Sequence, residues 1–397
     1  MGQHIVMVVG GYYPNPSPTG KCAEQYISLI HKEHEVDVVC IGRKSRVQEE
    51  YAGKRIRQVA SPYVIFQDKL KENMELLYQI SKLPIRFLNL FRHPNNLHWY
   101  LKYAYQKLKE IQSQNPINVI FSVGAPIAAH CSVAKFKKEF PNVRWITYSV
   151  DSYAAQNGNK KKFINFERDV LSQADHNFLS DEIYKNSPFL YDGFSEKVTS
   201  LPYLLPKMPD VEKTEIFERG KIHCVYAGSF YQKIRNPKFL LDIFMLMERN
   251  IILHLYCTSD CNELIDAAVS SSNGRIIRHK PVGPDEIFQI YEAADILVNV
   301  GNSLPEFKPS KTFEYIATGK PILDIHYDGL RDSVLEKYPF VFQVANSTNP
   351  KDVEKYILAF LLTNAGKRVD INVIHEIYSK YTESNIRSIL LEHFMSE

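Results

Sequence analysis

The sequence predicts an α/β fold built from two doubly wound domains, each with a parallel sheet covered by helices on both faces. Three observations predict it. Short β-branched segments alternate with longer helical patterns, and the alternation starts again after a proline-containing segment near residue 210. The length of 397 residues exceeds one ordinary core and fits two domains of about 200 residues each.

The strand and helix pairs of the first half are HIVMVVG with CAEQYISLIHK, INVIFSV with AAHCSVAKFKKEF, and VRWITYSV with FINFERDVLSQA. Those of the second half are KIHCVYAGS with PKFLLDIFMLMER, IILHLYCT with NELIDAAVS, GRIIRHKPV with DEIFQIYEAA, DILVNVG with KTFEYIATG, and KPILDIHY before a final helical region. Between the halves, SLPYLLPKMPDVEKTEIFERG carries three prolines and mixed charges, as linkers do. We predict domains over 1–203 and 204–375, followed by a terminal segment over 376–397.

Composition and charge argue against several classes of protein. An apolar fraction of 45% and a charged fraction of 23% are near globular averages, so wholesale disorder is not predicted. A formal net charge of +3 is too small to indicate a nucleic-acid-binding protein. We therefore expect no nucleic-acid partner.

The cysteines and the first residues indicate a cytoplasmic protein. Most of the six cysteines lie in apolar runs, which predicts reduced core residues, and the close pair in CTSDC lacks a second pair at zinc-finger spacing. MGQHIVMVVGG is interpreted as a first strand and not a signal peptide. No run approaches the roughly 18 apolar residues of a membrane span.

The loop after the first strand, GGYYPNPSPTGKCAEQ, is a candidate ligand-binding loop because ligands bind beyond the carboxyl ends of parallel strands. Its glycine spacing does not match the dinucleotide fingerprint. Gly20 directly precedes the predicted helix, where its amide could lie against a phosphate or a sugar. The alternative is that the glycines only make a turn.

The loop YAGSFYQKIRNPKFLL is a second candidate, in which we predict a strand ending at Gly228 and a helix starting near Pro237. Lys233, Arg235 and Lys238 precede or open that helix. Arginine offers a bidentate fork for phosphate oxygens and lysine a mobile point charge. The segment therefore predicts a phosphate site, although a solvated basic turn would have the same sequence.

The segment PEFKPSKTFEYIATGKPI places Glu306 and Glu314 on either side of a predicted helix start, with seven residues between them. Ser310 can cap the helix, which Gly319 and Pro321 end. The first free amides, those of Lys311, Thr312 and Phe313, then form an anion site. The two glutamates could accept hydrogen bonds from hydroxyl groups on either side of the anion, or they could be ordinary solvated charges. An anion flanked by polyols describes a nucleotide sugar.

The same segment resembles the signature of retaining glycosyltransferases with the GT-B fold, the large family four that includes many enzymes of bacterial surface polysaccharides. AGSFYQKIRNPKFLLDIF resembles the family's diphosphate loop, and VGPDEIFQIYEAADILVNVG resembles its approach to the signature. FERDVLSQADHNFLS resembles the last helix and strand of its N-terminal domain. The resemblance implies two Rossmann-like domains facing across a cleft and a last helix, ESNIRSILLEHF, that crosses back onto the first domain.

The resemblance also implies roles for individual residues. Glu314 would bind the ribose hydroxyls, and Glu306 would contact the donor hexose near the reacting carbon. Arg235, with Lys233 or Lys238, would neutralise the departing diphosphate. Gly20 matches the N-domain glycine loop that approaches the diphosphate. The family often has an arginine directly after the strand glycine, where this chain has Ser229.

Fixed cations and helix amides near the leaving diphosphate lower the barrier electrostatically. No DxD metal motif stands beside these loops, so we expect catalysis without a metal or other cofactor. Retention of configuration would follow from same-face attack assisted by the leaving phosphate, or from a double displacement through a protein nucleophile. Both routes stay open.

The first half is predicted to bind the acceptor. Asp151 follows a strand end, where it could orient the acceptor hydroxyl or the donor sugar, or merely cap the next helix. His130 lies early in a helix and could contact the acceptor, or it could be a satisfied structural histidine.

The segment LYQISKLPIRFLNLFRHPNNLHWYLKYAYQKLK combines basic and aromatic residues, among them Arg86, Arg92, Trp99, Lys102 and Lys107. Such a patch could rest on anionic lipid at the inner face of the membrane and meet a lipid-linked acceptor. An aromatic stripe that belongs to the core is the alternative.

The leading hypothesis is a retaining hexosyltransferase that uses a nucleotide-diphosphate sugar. A GT-B-fold nucleotide-sugar epimerase would use acids and histidines around a UDP sugar without an acceptor, and the PSKTFEY segment argues against it. A non-catalytic partner subunit would be expected to lose the signature, which is intact here.

Overall fold

The computed structural model describes residues 2–13, 17–42, 48–61, 97–211, 215–305 and 311–395, together with residues 65, 66, 74 and 77. Within them the chain forms two compact units. Unit 1 comprises Met1–Tyr203 with Glu383–Glu397, and unit 2 comprises Leu204–Thr382.

Unit 1 is built on an eight-stranded sheet in the order β3-β4-β2-β1-β5-β6-β7-β8. Its strands are β1 His4–Val8, β2 Glu35–Ile41, β3 Gln48–Tyr51, β4 Lys54–Val59, β5 Val119–Gly124, β6 Arg144–Ser149, β7 His176–Leu179 and β8 Val198–Ser200. Neighbouring strands are parallel except for the antiparallel hairpin of β3 and β4. The central strands β1 and β5 are buried along their whole length, as the apolar sequence of such strands predicts.

Helices pack on both faces of this sheet. They are α1 Pro18–Ser28, α2 His98–Gln114, α3 Ala128–Lys137, α4 Tyr153–Gln156, α5 Lys161–Ser172 and α6 Asp181–Asn186, with 3₁₀ turns at His31–Glu33, Pro188–Leu190 and Ser195–Lys197. α1 starts at Pro18, ahead of the start that the sequence predicts after Gly20, because the Ser17 hydroxyl accepts from the Gly20 amide and Pro18 occupies the first turn. Trp145 lies fully buried in the core between sheet and helices.

Unit 2 is built on a six-stranded, all-parallel sheet in the order β11-β10-β9-β12-β13-β14. Its strands are β9 Ile222–Phe230, β10 Ile251–Ser259, β11 Ile276–His279, β12 Ile296–Val300, β13 Ile322–His326 and β14 Val341–Ala345. The helices are α7 Lys238–Leu246, α8 Asn262–Ser271, α9 Pro284–Ala293, α10 Lys311–Thr318, α11 Pro350–Asn364 and α12 Ile371–Ile377, with 3₁₀ turns at Leu335–Lys337 and Ser379–Tyr381. One apolar core lies on each face of the sheet.

The segment predicted as a linker is largely part of unit 2. Leu205 is buried, and its amide donates to the Tyr381 carbonyl at 2.8 Å. Phe217 stacks on His223 with ring centroids 4.8 Å apart. These apolar side chains gain burial against the sheet, which the prolines and mixed charges of the segment do not reveal.

The last helix, α13 Glu383–Phe394, belongs to unit 1. Phe394 packs edge-on against Phe121 of β5, and the His393 ring stacks on His176 with centroids 3.7 Å apart. The chain passes between the units at Thr382 and Glu383, not at residue 376, because α12 packs against α10 of unit 2.

The six cysteines are free and buried, as the sequence predicts. Among the described residues, no helix is both long enough and apolar enough to cross a membrane.

Candidate functional site

Each sheet has a point where the strand order reverses. In unit 1 it lies between β1 and β5, and in unit 2 between β9 and β12. Ligands of open α/β sheets bind beyond the carboxyl ends of the strands at such a point. The loops that follow β1, β5, β9 and β12 are therefore where each unit's site residues are to be sought.

Arg235 ties the two loops at the switch point of unit 2 together. Its Nε donates to Asn302 Oδ1 at 3.0 Å, across to the loop after β12. Its Nη1 donates to the Ser229 carbonyl at 3.3 Å. The backbones support the same arrangement, since the Ser303 amide donates to the Ile234 carbonyl at 2.8 Å. A half-buried guanidinium is thus held in a fixed position at the carboxyl edge of the sheet.

Strand β9 continues to Phe230, two residues beyond the predicted end at Gly228, because β10 keeps pairing with it. A Cβ atom on Gly228 would lie 3.0 Å from the Tyr226 hydroxyl, which donates to the Ser229 carbonyl. Burial raises the pKa of Tyr226 to about 12, against the opposing effect of the nearby Arg235 cation. Gly228 thus makes room for the tyrosine beside Arg235. That Gly228 also contacts the nucleotide-sugar donor, as its place in the predicted diphosphate loop implies, stays a prediction.

The other two basic residues predicted to contact phosphate, Lys238 and Lys233, have different surroundings from Arg235. Lys238 lies inside the first turn of α7, where its Nζ pairs with Asp242 Oδ2 at 2.7 Å, an i,i+4 pair on the exposed face. The Lys238 side chain is therefore paired within α7 and is not described in contact with Arg235. Lys233 is exposed, and its carbonyl accepts from the Ser303 hydroxyl at 3.2 Å. Its side chain is accessible to a ligand.

The start of α10 carries a charged triad. Lys311 Nζ donates to Glu314 Oε2 and to the Tyr291 hydroxyl, both at 2.9 Å. The Tyr291 hydroxyl donates in turn to Glu314 Oε2 at 3.3 Å. The side chain of Glu314 is 28% exposed, so its carboxylate is held in place and still reachable from solvent. Glu306 and Ser310 lie outside the described residues.

Thr312 and Phe313, the next residues of α10, direct their side chains into the unit. Both are buried, Phe313 packs against Tyr381, and the Thr312 hydroxyl donates to Asp332 Oδ2 at 3.3 Å. Their predicted role through backbone amides is compatible with this placement, since inward side chains anchor the first turn of the helix.

In unit 1, Gly20 makes a close backbone contact. Its amide donates to Ser17 Oγ at 3.1 Å, so this N–H caps the helix and would reach a phosphate only if the cap opened. A Cβ atom at position 20 would lie 1.9 Å from the Gly11 carbonyl oxygen. The glycine is required for helix α1 to approach the loop after β1.

Gly20→Ala should destabilise the protein, because a methyl group cannot fit against the Gly11 carbonyl without a shift of the backbone. Overpacking of this kind costs about 1–3 kcal/mol. Thermal unfolding followed by circular dichroism measures the effect. Gly283→Ala, at another helix start where an added Cβ meets nothing within 4 Å, is the matched control. Equal melting temperatures for the two variants would contradict the close contact.

His130 is a buried, fully bonded histidine. Trp145 Nε1 donates to Ser122 Oγ at 2.7 Å, and His130 Nδ1 lies 2.8 Å from the same oxygen. His130 Nε2 lies 3.3 Å from Ser149 Oγ. Burial lowers the pKa of His130 to about 3, so the ring is neutral. With a 1% exposed ring, the structural alternative fits, and the predicted acceptor contact is not supported.

Asp151 follows β6 and lines a small cavity with Gly124, His130 and Glu167. No described residue donates a hydrogen bond to its carboxylate. Ser152, not Asp151, caps α4 by accepting from the Ala155 amide at 3.1 Å, so the predicted capping alternative is not what the structure shows. Burial raises the pKa of Asp151 to about 6. A partly buried, unpaired acid at a strand's carboxyl end is able to exchange a proton near neutral pH.

Asp151→Asn should change how stability depends on pH. The folded-state pKa, about 6, exceeds the ordinary value of 3.8, so the folded protein binds more protons between about pH 4 and pH 6. Stability conferred by the neutral acid is therefore lost as pH rises through this range. The unfolding free energy of the Asn variant minus that of the wild type should grow from pH 4.5 to 7 and then level off. Urea denaturation of both proteins measures it, and a constant difference would contradict a raised pKa.

The basic and aromatic segment is described at Leu77 and then from residue 97 onward. Arg86 and Arg92 lie outside the described residues. Trp99 packs against the core near Tyr100 and Tyr103, and Lys107 pairs with Glu110 at 2.5 Å. Trp99 thus fits the core alternative, while Lys102 is exposed.

One group of side chains in the described ranges has the spacing of metal ligands, namely His4, Glu35 and Asp37. It lies at the amino ends of β1 and β2, opposite the switch point. Asp37 accepts from His4 Nε2 at 2.8 Å and from both Arg55 and Arg57. Burial raises the pKa of the Asp37 carboxyl, but these hydrogen bonds outweigh it and hold the pKa below its usual value. Two guanidinium groups already neutralise the carboxylate, so the group is an ion-pair network.

Sequence reasoning missed two polar features of unit 2. The first is a row of Asn299, Asp324 and Gln343 across β12, β13 and β14. Its signal was a polar residue inside each apolar run of DILVNVG and KPILDIHY.

The second is a chain of three imidazoles on β9, β10 and β11. His223 Nδ1 lies 2.9 Å from His254 Nε2, and His254 Nδ1 lies 2.9 Å from His279 Nε2. His223 Nε2 donates to the Glu218 carbonyl at 2.8 Å. Burial lowers the pKa of His254 to about 3 and also lowers that of His279, so these rings are neutral.

No protein-family model matches the chain, and no curated protein matches its sequence. Solved structures match its fold over nearly the whole length. Sucrose-phosphate synthase from Thermosynechococcus elongatus matches with a TM-score of 0.70 at 13% identity, covering 99% of this chain and 98% of that chain. The lipopolysaccharide outer core galactosyltransferase WaaB, in its apo form, matches with a TM-score of 0.62 at 10% identity, covering 98% and 99%.

HepE from Anabaena, in complex with UDP, matches with a TM-score of 0.62 at 11% identity and covers 100% of both chains. The chain therefore has the two-domain α/β fold of the GT-B glycosyltransferases, with a parallel sheet in each domain. The fold class predicted from the sequence is confirmed.

Proposed function

We propose that the chain is a retaining glycosyltransferase of the kind found in family four. It would move a hexose from a nucleotide-diphosphate sugar to a glycan or lipid-linked acceptor, in the synthesis of a bacterial surface polysaccharide. The observation that carries the proposal is the fixed guanidinium of Arg235, tied to Asn302 at the carboxyl edge where the strand order of unit 2 reverses.

Arg235 supports a phosphate role by its chemistry. Its guanidinium has five N–H donors, and the two contacts described use Nε and one N–H of Nη1, which leaves donors for a ligand. Its Nη1 also donates to the carbonyl of Ser229, the residue at the position where the family often has an arginine. An arginine supplied from six residues further along could thus serve the same diphosphate.

The start of α10 supports the nucleotide end of the donor. The carboxylate of Glu314 is oriented by Lys311 and Tyr291 and remains partly exposed, as a hydroxyl acceptor must be. We assign it to the ribose hydroxyls. The family signature, not a described contact, assigns Glu306 to the donor hexose.

Catalysis would then be electrostatic. Breaking the anomeric C–O bond leaves negative charge on the diphosphate, and a preorganised cation with helix amides stabilises that charge in the transition state. Metal independence is part of the proposal and rests on the lack of a DxD motif beside the loops. Activity that is lost in EDTA and restored by Mg²⁺ would contradict it.

The N-terminal domain is proposed to bind the acceptor through Asp151. Its carboxylate, which exchanges a proton near neutral pH, suits the orientation or deprotonation of a hydroxyl. Contact with the inner face of the membrane, through the segment that includes Lys102, is proposed with it, since a lipid-linked acceptor resides there.

The likeness of the whole chain to transferase structures adds support. Both the galactosyltransferase WaaB and HepE, which was crystallised with UDP, share the fold from end to end. We therefore expect a nucleoside diphosphate to be the leaving group.

A panel of UDP-, GDP-, ADP- and dTDP-glucose tests the proposal. The purified protein should release sugar slowly from one of them without an acceptor, and ¹H NMR at early times should show the anomer of the donor retained. Conversion of the intact donor to its epimer would favour the epimerase alternative. Nucleotide binding without turnover would favour a non-catalytic subunit. If the protein shows no nucleotide binding and no turnover, every hypothesis that involves a nucleotide sugar is overturned.

A further inference from the structure

The polar row of unit 2 lies on the sheet face that α10 covers. Asn299 pairs in register with Asp324, and Asp324 with Gln343. Two residues earlier on the same strands, and so on the same face, is an apolar row of Leu297, Ile322 and Val341. The face therefore changes from apolar to polar toward the carboxyl ends of the strands, where the candidate site lies.

Asp324 is the centre of this row. Its Oδ1 accepts from Asn299 Nδ2 at 2.7 Å, and its Oδ2 accepts from Gln343 Nε2 at 3.0 Å. Asp324 is 1% exposed and Asn299 3%. A buried carboxylate is costly to desolvate even when it is hydrogen-bonded, and apolar residues of similar volume often replace buried ionic groups without loss of stability. Stability of the sheet thus gives no reason for an acid at this position.

The row continues from the sheet to the first turn of α10. Gln343 Nε2 also donates to the Asp332 carbonyl at 3.1 Å. The Asp332 carboxylate accepts from the Thr312 hydroxyl at 3.3 Å through Oδ2 and from the Val334 amide at 2.9 Å through Oδ1. Thr312 is fully buried in α10. The carboxylate of Asp324 is thereby connected to the helix start whose amides would face the diphosphate.

The other end of the row leads to the second loop of the candidate site. Asn299 lies on β12, three residues before Asn302, which accepts from Arg235 Nε. Asp324 is therefore hydrogen-bonded on one side to the network that reaches the α10 start, and on the other side to β12, the strand that leads to Asn302.

We propose that Asp324 is a positioning residue that, in its ionised form, holds the start of α10 and the loop after β12 in the geometry that binds a nucleoside diphosphate. The inference rests on the proposed function. Asp324 would touch neither nucleotide nor sugar, and it would act through Gln343, Asp332 and Thr312 on one side and through Asn299 on the other.

The charge state of Asp324 makes the proposal testable. Burial raises its pKa to about 6, with a further raising effect from Asp332, while the amides of Gln343 and Asn299 and the nearby His326 lower it. Arg331 faces the row from the loop after β13, where its Nε donates to Gln343 Oε1 at 2.7 Å. A proton on Asp324 would confront an amide N–H, so one of the two hydrogen bonds would be lost on acidification.

Calorimetric titration of wild type and Asp324→Asn tests the proposal, with the tightest-binding of UDP-, GDP-, ADP- and dTDP-glucose as the probe. At pH 7.5 the variant should bind the probe at least about tenfold more weakly, as the loss of one hydrogen bond to a charged group predicts. Wild-type affinity should fall from pH 7.5 to 5, and that of the variant should change much less. In turnover, the loss should appear in KM and not in kcat.

Asp295→Asn is the matched control. Asp295 Oδ2 accepts from the His223 amide at 2.8 Å, so it also joins neighbouring strands of this sheet, but at the amino end of β12. The affinity of the Asp295→Asn variant for the probe should equal that of the wild type at each pH. Thr312→Val removes only the hydrogen bond from the Thr312 hydroxyl to Asp332. If both residues act in one network, the double variant Asp324→Asn/Thr312→Val should lose clearly less binding free energy than the sum of the two single losses.

A second variant, Gln343→Leu, tests the inference independently if Asp324→Asn folds poorly. Gln343→Leu removes one donor to the carboxylate, so the fall in affinity on acidification should start at higher pH than in the wild type. Unchanged or tighter binding by Asp324→Asn, a pH-independent wild type, or strict additivity with Thr312→Val would overturn the inference while the proposed function stands. A wild type that binds none of the four probes would overturn the proposed function, and the inference with it.

Discussion

Arg235→Ala lowers the rate of sugar release or transfer by about 10²- to 10³-fold, if its guanidinium stabilises the departing diphosphate as proposed. The charge on the leaving group is greatest in the transition state, so the loss should appear in kcat. Steady-state kinetics with the active nucleotide sugar, followed as released nucleoside diphosphate, measures it. Circular dichroism and the melting temperature should show that the variant is folded.

Two further variants, one at the same position and one three residues later, sharpen this test. Arg235→Lys keeps the charge but loses the fork that reaches Asn302 and Ser229, so its rate should lie between those of wild type and alanine variant. Lys238→Ala removes a cation that pairs with Asp242 on the exposed face of α7, and it should leave the rate within a few-fold. An alanine variant at position 235 that turns over at a near-normal rate would remove the assigned role.

Glu306→Ala and Glu314→Ala should have unequal effects, since the proposal places the two glutamates at opposite ends of one donor. Loss of Glu306 should lower kcat by orders of magnitude with little change in nucleotide affinity. Loss of Glu314 should weaken nucleoside diphosphate binding by roughly 10- to 100-fold, because it removes a charged group that accepts hydrogen bonds from the ribose hydroxyls. Calorimetry with the nucleoside diphosphate and single-turnover kinetics separate the two quantities.

Glu314→Gln is the control for the second glutamate, because it keeps the size of the side chain while removing the charge that Lys311 neutralises. It should bind nucleotide better than the alanine variant. If the two alanine variants lose kcat and affinity in equal proportion, the division of roles is wrong.

Much of the fold follows from local sequence patterns. The predicted last helix, ESNIRSILLEHF, coincides with α13 Glu383–Phe394, and the apolar run HIVMVVG contains β1 His4–Val8. Such patterns are local because a strand buried on both faces or an amphipathic helix shows its period within a few residues. The boundary between the units at Thr382 cannot be predicted from a local pattern, since it depends on which sheet α12 packs against.

The site was only partly predictable, because its geometry depends on contacts between distant segments. The sequence predicts cations before α7, but only the fold shows that Arg235 turns to Asn302 while Lys238 pairs with Asp242. His130 was left between two interpretations, and only the fold shows that its ring is buried beside Ser122 of β5 and Ser149 of β6, as the structural interpretation expects. The Asp324 row required the register of three strands, which no single run of sequence contains.

The imidazole chain of unit 2 has a consequence for where its protons sit. The Glu218 carbonyl can only accept, so His223 must carry its proton on Nε2. When His223 is neutral, its Nδ1 accepts from His254, and His254 Nδ1 accepts from His279. One backbone carbonyl thus decides the tautomer of a ring two strands away. All three N–H groups therefore donate in the same direction, toward Glu218. No one of these hydrogen bonds can change direction unless all three rings change tautomer together.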